Sequence, residues 1–204
     1  MALQQLPVWL RSPERAFEVV VIGASAGGTS AIRVVLSSLR ADFPGVILIA
    51  HHRGPGPVTS YRRLFDGHTR LRISEAIHGQ CMTGGTVYVA PEQCHLELDA
   101  HGRLDTGQTA RFVTGRPSVD LLFKSAAACY GDRTVAIVLS GFGRDGAAGV
   151  QAVRHRGGFV IAQDRTTSEQ FGMPSSAIES GRVDITLPLH QIGFALAMLF
   201  GTAT

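Results

Sequence analysis

The stretch Phe17-Glu-Val-Val-Val-Ile-Gly-Ala-Ser-Ala-Gly-Gly28, read together with the apolar run Gly45-Val-Ile-Leu-Ile-Ala50, decides the fold. The first run carries Val and Ile without polar alternation, the pattern of a strand buried on both faces. It breaks at a glycine-rich turn, and Thr29 or Ser30 then caps a helix that runs to about Leu39. The run 45–50 reads as a second buried strand, so 17–50 forms a strand–helix–strand unit that demands a parallel pair. Further along, strands are predicted at 71–76, 85–90, 95–98, 134–140, 158–162 and 183–187. Helices are predicted at 118–129 (capped by Ser118), 145–155, 174–180 and 190–200. Residues 53–68 read as a loop followed by a short helix, and 99–115 as a hairpin or loop. Alternating strands and helices give an α/β domain, a doubly wound, mostly parallel β-sheet flanked by helices in a Rossmann-like three-layer arrangement.

The 204 residues suit one domain, with a 1–16 lead-in segment and a 17–204 folded domain. No apolar run approaches the roughly 20 residues of a membrane helix, and the first 16 residues lack the pattern of a secretory signal. No membrane insertion and a cytoplasmic location are therefore expected. Cys81, Cys94 and Cys129 are odd in number and lack a C-x-x-C spacing; they read as small buried hydrophobes rather than as disulfides or a zinc cluster. The net charge is +3, and every basic residue but Lys124 is arginine. The clusters Arg62/Arg63, Arg70/Arg72 and Arg154/Arg156 favour an acidic partner. No aromatics interleave with them, so no nucleic acid is expected.

In a doubly wound sheet, active residues collect beyond the carboxyl ends of the strands. Three such ends carry chemistry. The first holds Gly23-Ala-Ser-Ala-Gly27, a G-x-S-x-G turn that exposes a serine oxygen before a helix whose free N–H groups suit an oxyanion. The same turn could equally pack a helix or hold a nucleotide phosphate. The second holds His51-His52, a base next to the serine if the two strands are neighbours. The third holds Asp145 after Gly141-Phe-Gly-Arg144, a carboxylate able to orient an imidazole; an N-cap for its own helix is the plainer role. Asp164, after the strand 158–162, competes with it. The order Ser25, His52, Asp145 differs from that of the α/β-hydrolases, where the acid precedes the histidine.

Six blocks in order complete the pattern: Gly23-Ala-Ser-Ala-Gly-Gly28, His51-His-Arg-Gly-Pro-Gly56, Tyr88-Val-Ala-Pro91, Arg116-Pro-Ser-Val-Asp120, Leu139-Ser-Gly-Phe-Gly-Arg-Asp-Gly-Ala-Ala-Gly149 and Phe171-Gly-Met-Pro174. Over about residues 17–200 the chain resembles the catalytic domain of the chemotaxis methylesterase family CheB. The resemblance implies a serine hydrolase that removes methyl groups from glutamate γ-methyl esters on the cytoplasmic helices of chemoreceptors, releasing methanol, with deamidation of receptor glutamines as a second activity. It implies no cofactor and no metal, and it puts the catalytic roles on Ser25, His52 and Asp145, with His51 at a position usually held by glutamine. The chain departs from the family at Ala26 (usually threonine), and at Arg53 and Phe142 (each commonly methionine). The family's phosphorylatable receiver domain has no room in a 16-residue lead-in; unbraked activity, a separate regulatory protein and a longer parent chain are the alternatives. Two other readings stand beside this one: a serine esterase for a non-receptor substrate, motivated by Arg53 and Phe142, and a nucleotide-binding module. The second lacks a full G-x-G-x-x-G and has histidines where an acidic ribose ligand is expected.

Overall fold

The structure, a computed structural model, describes residues 17–52, 64–65, 67–91, 94–107 and 117–202. The lead-in 1–16, Arg53, the pair Arg62/Arg63 and Arg116 lie outside the described residues.

Seven strands form one sheet in the order β3-β4-β2-β1-β7-β8-β9: β1 (Val19–Ala24), β2 (Val46–His51), β3 (Arg72–Glu75), β4 (Thr86–Val89), β7 (Thr134–Val138), β8 (Phe159–Gln163) and β9 (Ile185–Leu187). Every pairing in it is parallel, so the expected mostly parallel sheet is wholly so. A separate antiparallel pair joins β5 (Glu97–Leu98) to β6 (Leu104–Asp105), so the strand expected at 95–98 pairs with the start of the segment 99–115, expected as a hairpin or loop. Among the described residues, five α-helices cover the sheet: α1 (Gly28–Ser37), α2 (Val119–Tyr130), α3 (Ala147–His155), α4 (Gly172–Glu179) and α5 (Leu189–Leu199).

The continuous apolar runs are explained by the two-sided burial. Along β1, Val20 and Ile22 face a cluster with Ile32, Leu36 and Leu196 from α1 and α5. Val19 and Val21 face a second cluster with Phe123, Val150 and Met173 from α2, α3 and α4. All four β1 residues are wholly buried, and each such side chain contributes about 1.5–3 kcal/mol relative to exposure. The result is the three-layer architecture read from the sequence.

Two local expectations are corrected. Helix α1 is not capped by Thr29 or Ser30. Its N-cap is Gly27, two residues before Thr29, and the Gly27 φ of 77° makes the left-handed turn that lets the chain reverse from strand to helix. The cysteines are not buried hydrophobes: Cys81 is exposed, and Cys94 and Cys129 are half-buried. The half-buried Cys129 packs against the second cluster, and its thiol donates to the Asp99 carbonyl (3.0 Å).

The chain begins at β1, moves to β2 on one side, and later returns to β7 on the other. The strand order therefore reverses between β1 and β7, where doubly wound sheets open a crevice at the carboxyl edge.

Candidate active site

Ser25 follows the last residue of β1 and is held through its backbone. Its N–H donates to the Ser140 carbonyl just past β7 (2.9 Å). Its carbonyl accepts from the Gly28 N–H (2.8 Å) and from Nε2 of His51 (3.1 Å). His51 is thus a buried support for the serine turn, packed under the start of α1, where a Cβ on Gly28 would lie 3.0 Å from its ring.

Register brings the second residue in. Ala24 pairs with His51 across β1 and β2, and the His52 N–H donates to the Ala24 carbonyl (2.9 Å). Ser25 and His52 are therefore side by side, each one step beyond its paired strand end. The His52 ring reaches Asp145, with Nε2 to Oδ2 at 2.9 Å. The two side chains are only 20% and 15% exposed, so the contact is substantially screened from water.

Asp145 does not cap the helix that follows it. Helix α3 begins at Ala147, behind Gly146 in a left-handed conformation. The carboxylate instead accepts the first N–H groups of α2, from Val119 (2.8 Å) and Asp120 (2.9 Å), and a weaker bond from the Ser118 hydroxyl (3.3 Å). Asp120 returns the arrangement: its Oδ1 accepts from the N–H groups of Gly146 (2.9 Å) and Gly149 (2.7 Å) at the start of α3. Each helix is capped by an aspartate borrowed from the other. Ser118 also caps α2 as expected, accepting from Leu121, while its own N–H donates to Nδ1 of the buried His95 (3.0 Å). Burial alone would raise the Asp145 carboxyl, but hydrogen bonds from His52, Val119 and Asp120 outweigh it and hold the group below its ordinary value. The competing Asp164 serves its own loop, accepting from Thr166 and Thr167.

A buried polar bridge, which sequence reading missed, pins the loop 164–171 to the serine turn. The Ser140 hydroxyl donates to the Ala26 carbonyl (2.7 Å) and accepts from the Gln170 N–H (2.9 Å). The Ser140 N–H donates to Oε1 of Gln163, which is wholly buried. A glutamine ending the apolar run Phe159-Val-Ile-Ala-Gln163 was the available signal, since a buried amide needs partners. The loop after β7 also presses on the serine: a Cβ on Gly141 would stand 2.7 Å from the Ser25 Cβ. Phe142, next along, is 63% exposed at this rim.

The arrangement provides a hydroxyl at a helix start, an imidazole beside it, and an ionised carboxylate on that imidazole. The model of the CheB methylesterase family matches residues 20–196. The chain is 40% identical over 179 residues to a protein-glutamate methylesterase/protein-glutamine glutaminase of Ralstonia nicotianae, covering 86% of this chain and 47% of that protein. It is 39% identical over 184 residues to the protein-glutamate methylesterase FrzG of Myxococcus xanthus, covering 90% and 55%. The chain thus spans about half the length of the curated relatives it matches. The crystal structure of the Thermotoga maritima CheB methylesterase catalytic domain superposes with a TM-score of 0.82 at 36% identity, covering 90% of this chain and 99% of that one. This chain belongs to the CheB methylesterase family.

Proposed function

We propose that the chain hydrolyses glutamate γ-methyl esters on the cytoplasmic signalling helices of chemoreceptors, with Ser25 as nucleophile, His52 as general base and Asp145 as its orienting acid. The observation that carries this reading is the His52–Asp145 hydrogen bond at 2.9 Å, made where the β1/β2 register sets Ser25 beside His52.

With Nε2–H donated to Asp145, the lone pair of His52 is on Nδ1, and this nitrogen takes the Ser25 proton as Oγ attacks the ester carbonyl. The N–H groups of Ser25, Gly28 and Gly141 are already bonded within the protein. The oxyanion is therefore assigned to N–H groups at Ala26 or Gly27, at the start of α1, and to that of Phe142. The tetrahedral adduct collapses, His52 returns its proton to the leaving oxygen, and methanol departs. Water deprotonated by His52 then cleaves the acyl-serine to free the glutamate. The same steps on a receptor glutamine release ammonia. Asp145, held ionised, fixes the histidine tautomer and stabilises the imidazolium.

Among the described residues, no helix is long and apolar enough to cross a membrane. A chain working on the cytoplasmic part of receptors fits that observation, and a separate regulatory protein is a further proposed partner. The exposed Phe142 favours a second reading, an esterase for an apolar non-receptor substrate. One experiment separates them: methanol release from methylated receptor fragments against hydrolysis of short-chain esters, each with the Ser25→Ala variant alongside. Receptor demethylation that vanishes in the variant supports the first reading. Turnover of short-chain esters alone supports the second, and undiminished turnover by Ser25→Ala sinks both.

A further inference from the structure

The serine turn has an acidic neighbour that the mechanism does not use. A Cβ placed on Gly27 would lie 2.7 Å from the Glu169 Cβ and 2.9 Å from its Oε2. The carboxylate therefore stands at the start of α1, two residues from the nucleophile. Its loop is fastened on several sides. The Gln170 N–H donates to the Ser140 hydroxyl, and the Gln170 carbonyl accepts from Gly141 (2.9 Å). The Gln163 amide donates to the Thr167 carbonyl (2.7 Å), and the Asp164 N–H donates to Leu187 (2.8 Å). The backbone carrying Glu169 is thus anchored to the same Ser140 that holds the Ala26 carbonyl.

The chemistry of the proposed reaction gives this charge a use. An ester is neutral. The tetrahedral adduct pairs an oxyanion with the imidazolium, so the reacting centre keeps no net charge. The acyl-serine is neutral again. Only the final product, a free glutamate, brings a net negative charge. A helix start with free N–H groups attracts such a carboxylate, so the donors that serve the oxyanion would also retain the product. We propose that Glu169 is a specificity-determining residue that discriminates the methyl ester from its own acid product. Its exposed carboxylate, carried on that anchored backbone, repels the glutamate formed at Ser25 and the unmodified glutamates of the substrate, and does not act on the neutral ester. This rests on the methylesterase reading above.

The test uses a blocked peptide carrying one glutamate γ-methyl ester as substrate and the same peptide with free glutamate as competitive inhibitor. In Glu169→Gln the inhibition constant of the acid peptide should tighten about threefold to tenfold at low salt, and any rise in kcat/KM for the ester should be smaller than that, because the oxyanion of the adduct is paired with the imidazolium and the product carboxylate is not. The difference should collapse at 1 M salt, where screening acts within about 3 Å. Glu169→Asp keeps the charge and should stay near wild type. An unchanged or weaker inhibition constant in Glu169→Gln overturns the proposal, as does a tightening that survives 1 M salt. If kcat/KM falls together with thermal stability, Glu169 merely caps α1 and the proposal also fails. A wild-type protein that leaves the ester peptide intact removes the methylesterase reading and this one together, a failure distinct from all the others.

Discussion

Asp145→Asn separates the cap that this carboxylate gives α2 from the catalytic job proposed for it. In the native protein Oδ2 accepts from His52 and Val119, and Oδ1 from Asp120 and Ser118. An amide keeps one acceptor oxygen and turns the other into a donor. In either orientation at least one N–H at the start of α2 loses its acceptor and faces a donor. A buried donor left without a partner costs about 1–3 kcal/mol, and in a domain of this size each kcal/mol moves the thermal midpoint by about 2–4 °C. The catalytic loss should be larger. Without the anion the imidazole is held in the wrong tautomer, and such a change lowers turnover roughly 10⁴-fold in serine hydrolases built on this plan, or about 5.5 kcal/mol of barrier at 1.36 kcal/mol per tenfold. The pH dependence identifies the group. Because the folded carboxyl lies below its ordinary value, its stabilisation is complete above the unfolded value near 3.9 and is lost as pH falls through the folded one. Denaturant titrations should therefore show wild type and Asp145→Asn converging as the pH drops below about 4. The assays are methanol release and urea unfolding at several pH values. A variant that is destabilised yet retains kcat/KM within threefold of wild type would show that the His52–Asp145 bond is only a structural clamp.

Ser25→Ala should reduce methanol release about 10³-fold or more while changing stability by no more than about 0.5 kcal/mol; a stable variant with wild-type turnover refutes the nucleophile. Gly141→Ala puts a methyl group 2.7 Å from the Ser25 Cβ; a forced shift near 1 Å at the nucleophile should lower kcat about 10²-fold, and unaltered kinetics would mean the loop yields freely. Ser140→Ala removes the donor to Ala26 and the acceptor for Gln170, so unfolding free energy should fall about 1–3 kcal/mol, with Ser140→Thr recovering part of it; equal losses in both would count against the hydroxyl. If the exposed arginines help capture acidic receptor helices, added salt should slow receptor demethylation more than hydrolysis of a small uncharged ester, and a parallel response would remove that role.

The centre of the sheet was legible because its inner strands are buried on both faces. Val19–Ile22 and Val46–Ala50 carry nothing polar, and two helical layers are what such strands require. The strand ends were legible for the same reason: Ser25, His52 and Asp145 are polar residues placed where apolar runs stop. Side-chain destinations were less so. Asp145 precedes a helix and invites the N-cap reading, but its acceptor atoms meet N–H groups 25 and 26 residues earlier in the chain, a pairing that only the packing of α2 on α3 creates. His51 and His52 are adjacent in sequence, yet strand alternation sends one beneath α1 and the other to Asp145. Ser140 and Gln163 gave the faint signal of polar residues closing apolar runs, without stating that each would serve the other.

The position of α2 explains three of the glycines packed behind this site. For Asp145 to receive the first N–H groups of α2, that helix must start directly over the end of β1, and Val119 fills the gap. The backbone of β1 approaches it at Gly23, where any Cβ would overlap the Val119 side chain, and the β7 loop approaches at Gly146, where a Cβ would stand 2.9 Å from Val119 Cγ1. Gly149 brings α3 equally close, with space for a Cβ only 3.2 Å from the Asp120 backbone. These contacts draw the two helix starts together until the aspartates exchange caps, and that exchange leaves one Asp145 oxygen directed at His52. The geometry of the His52–Asp145 pair is therefore set largely by packing behind it, and a methyl group added at Gly23 or Gly146 should disturb the imidazole without touching it.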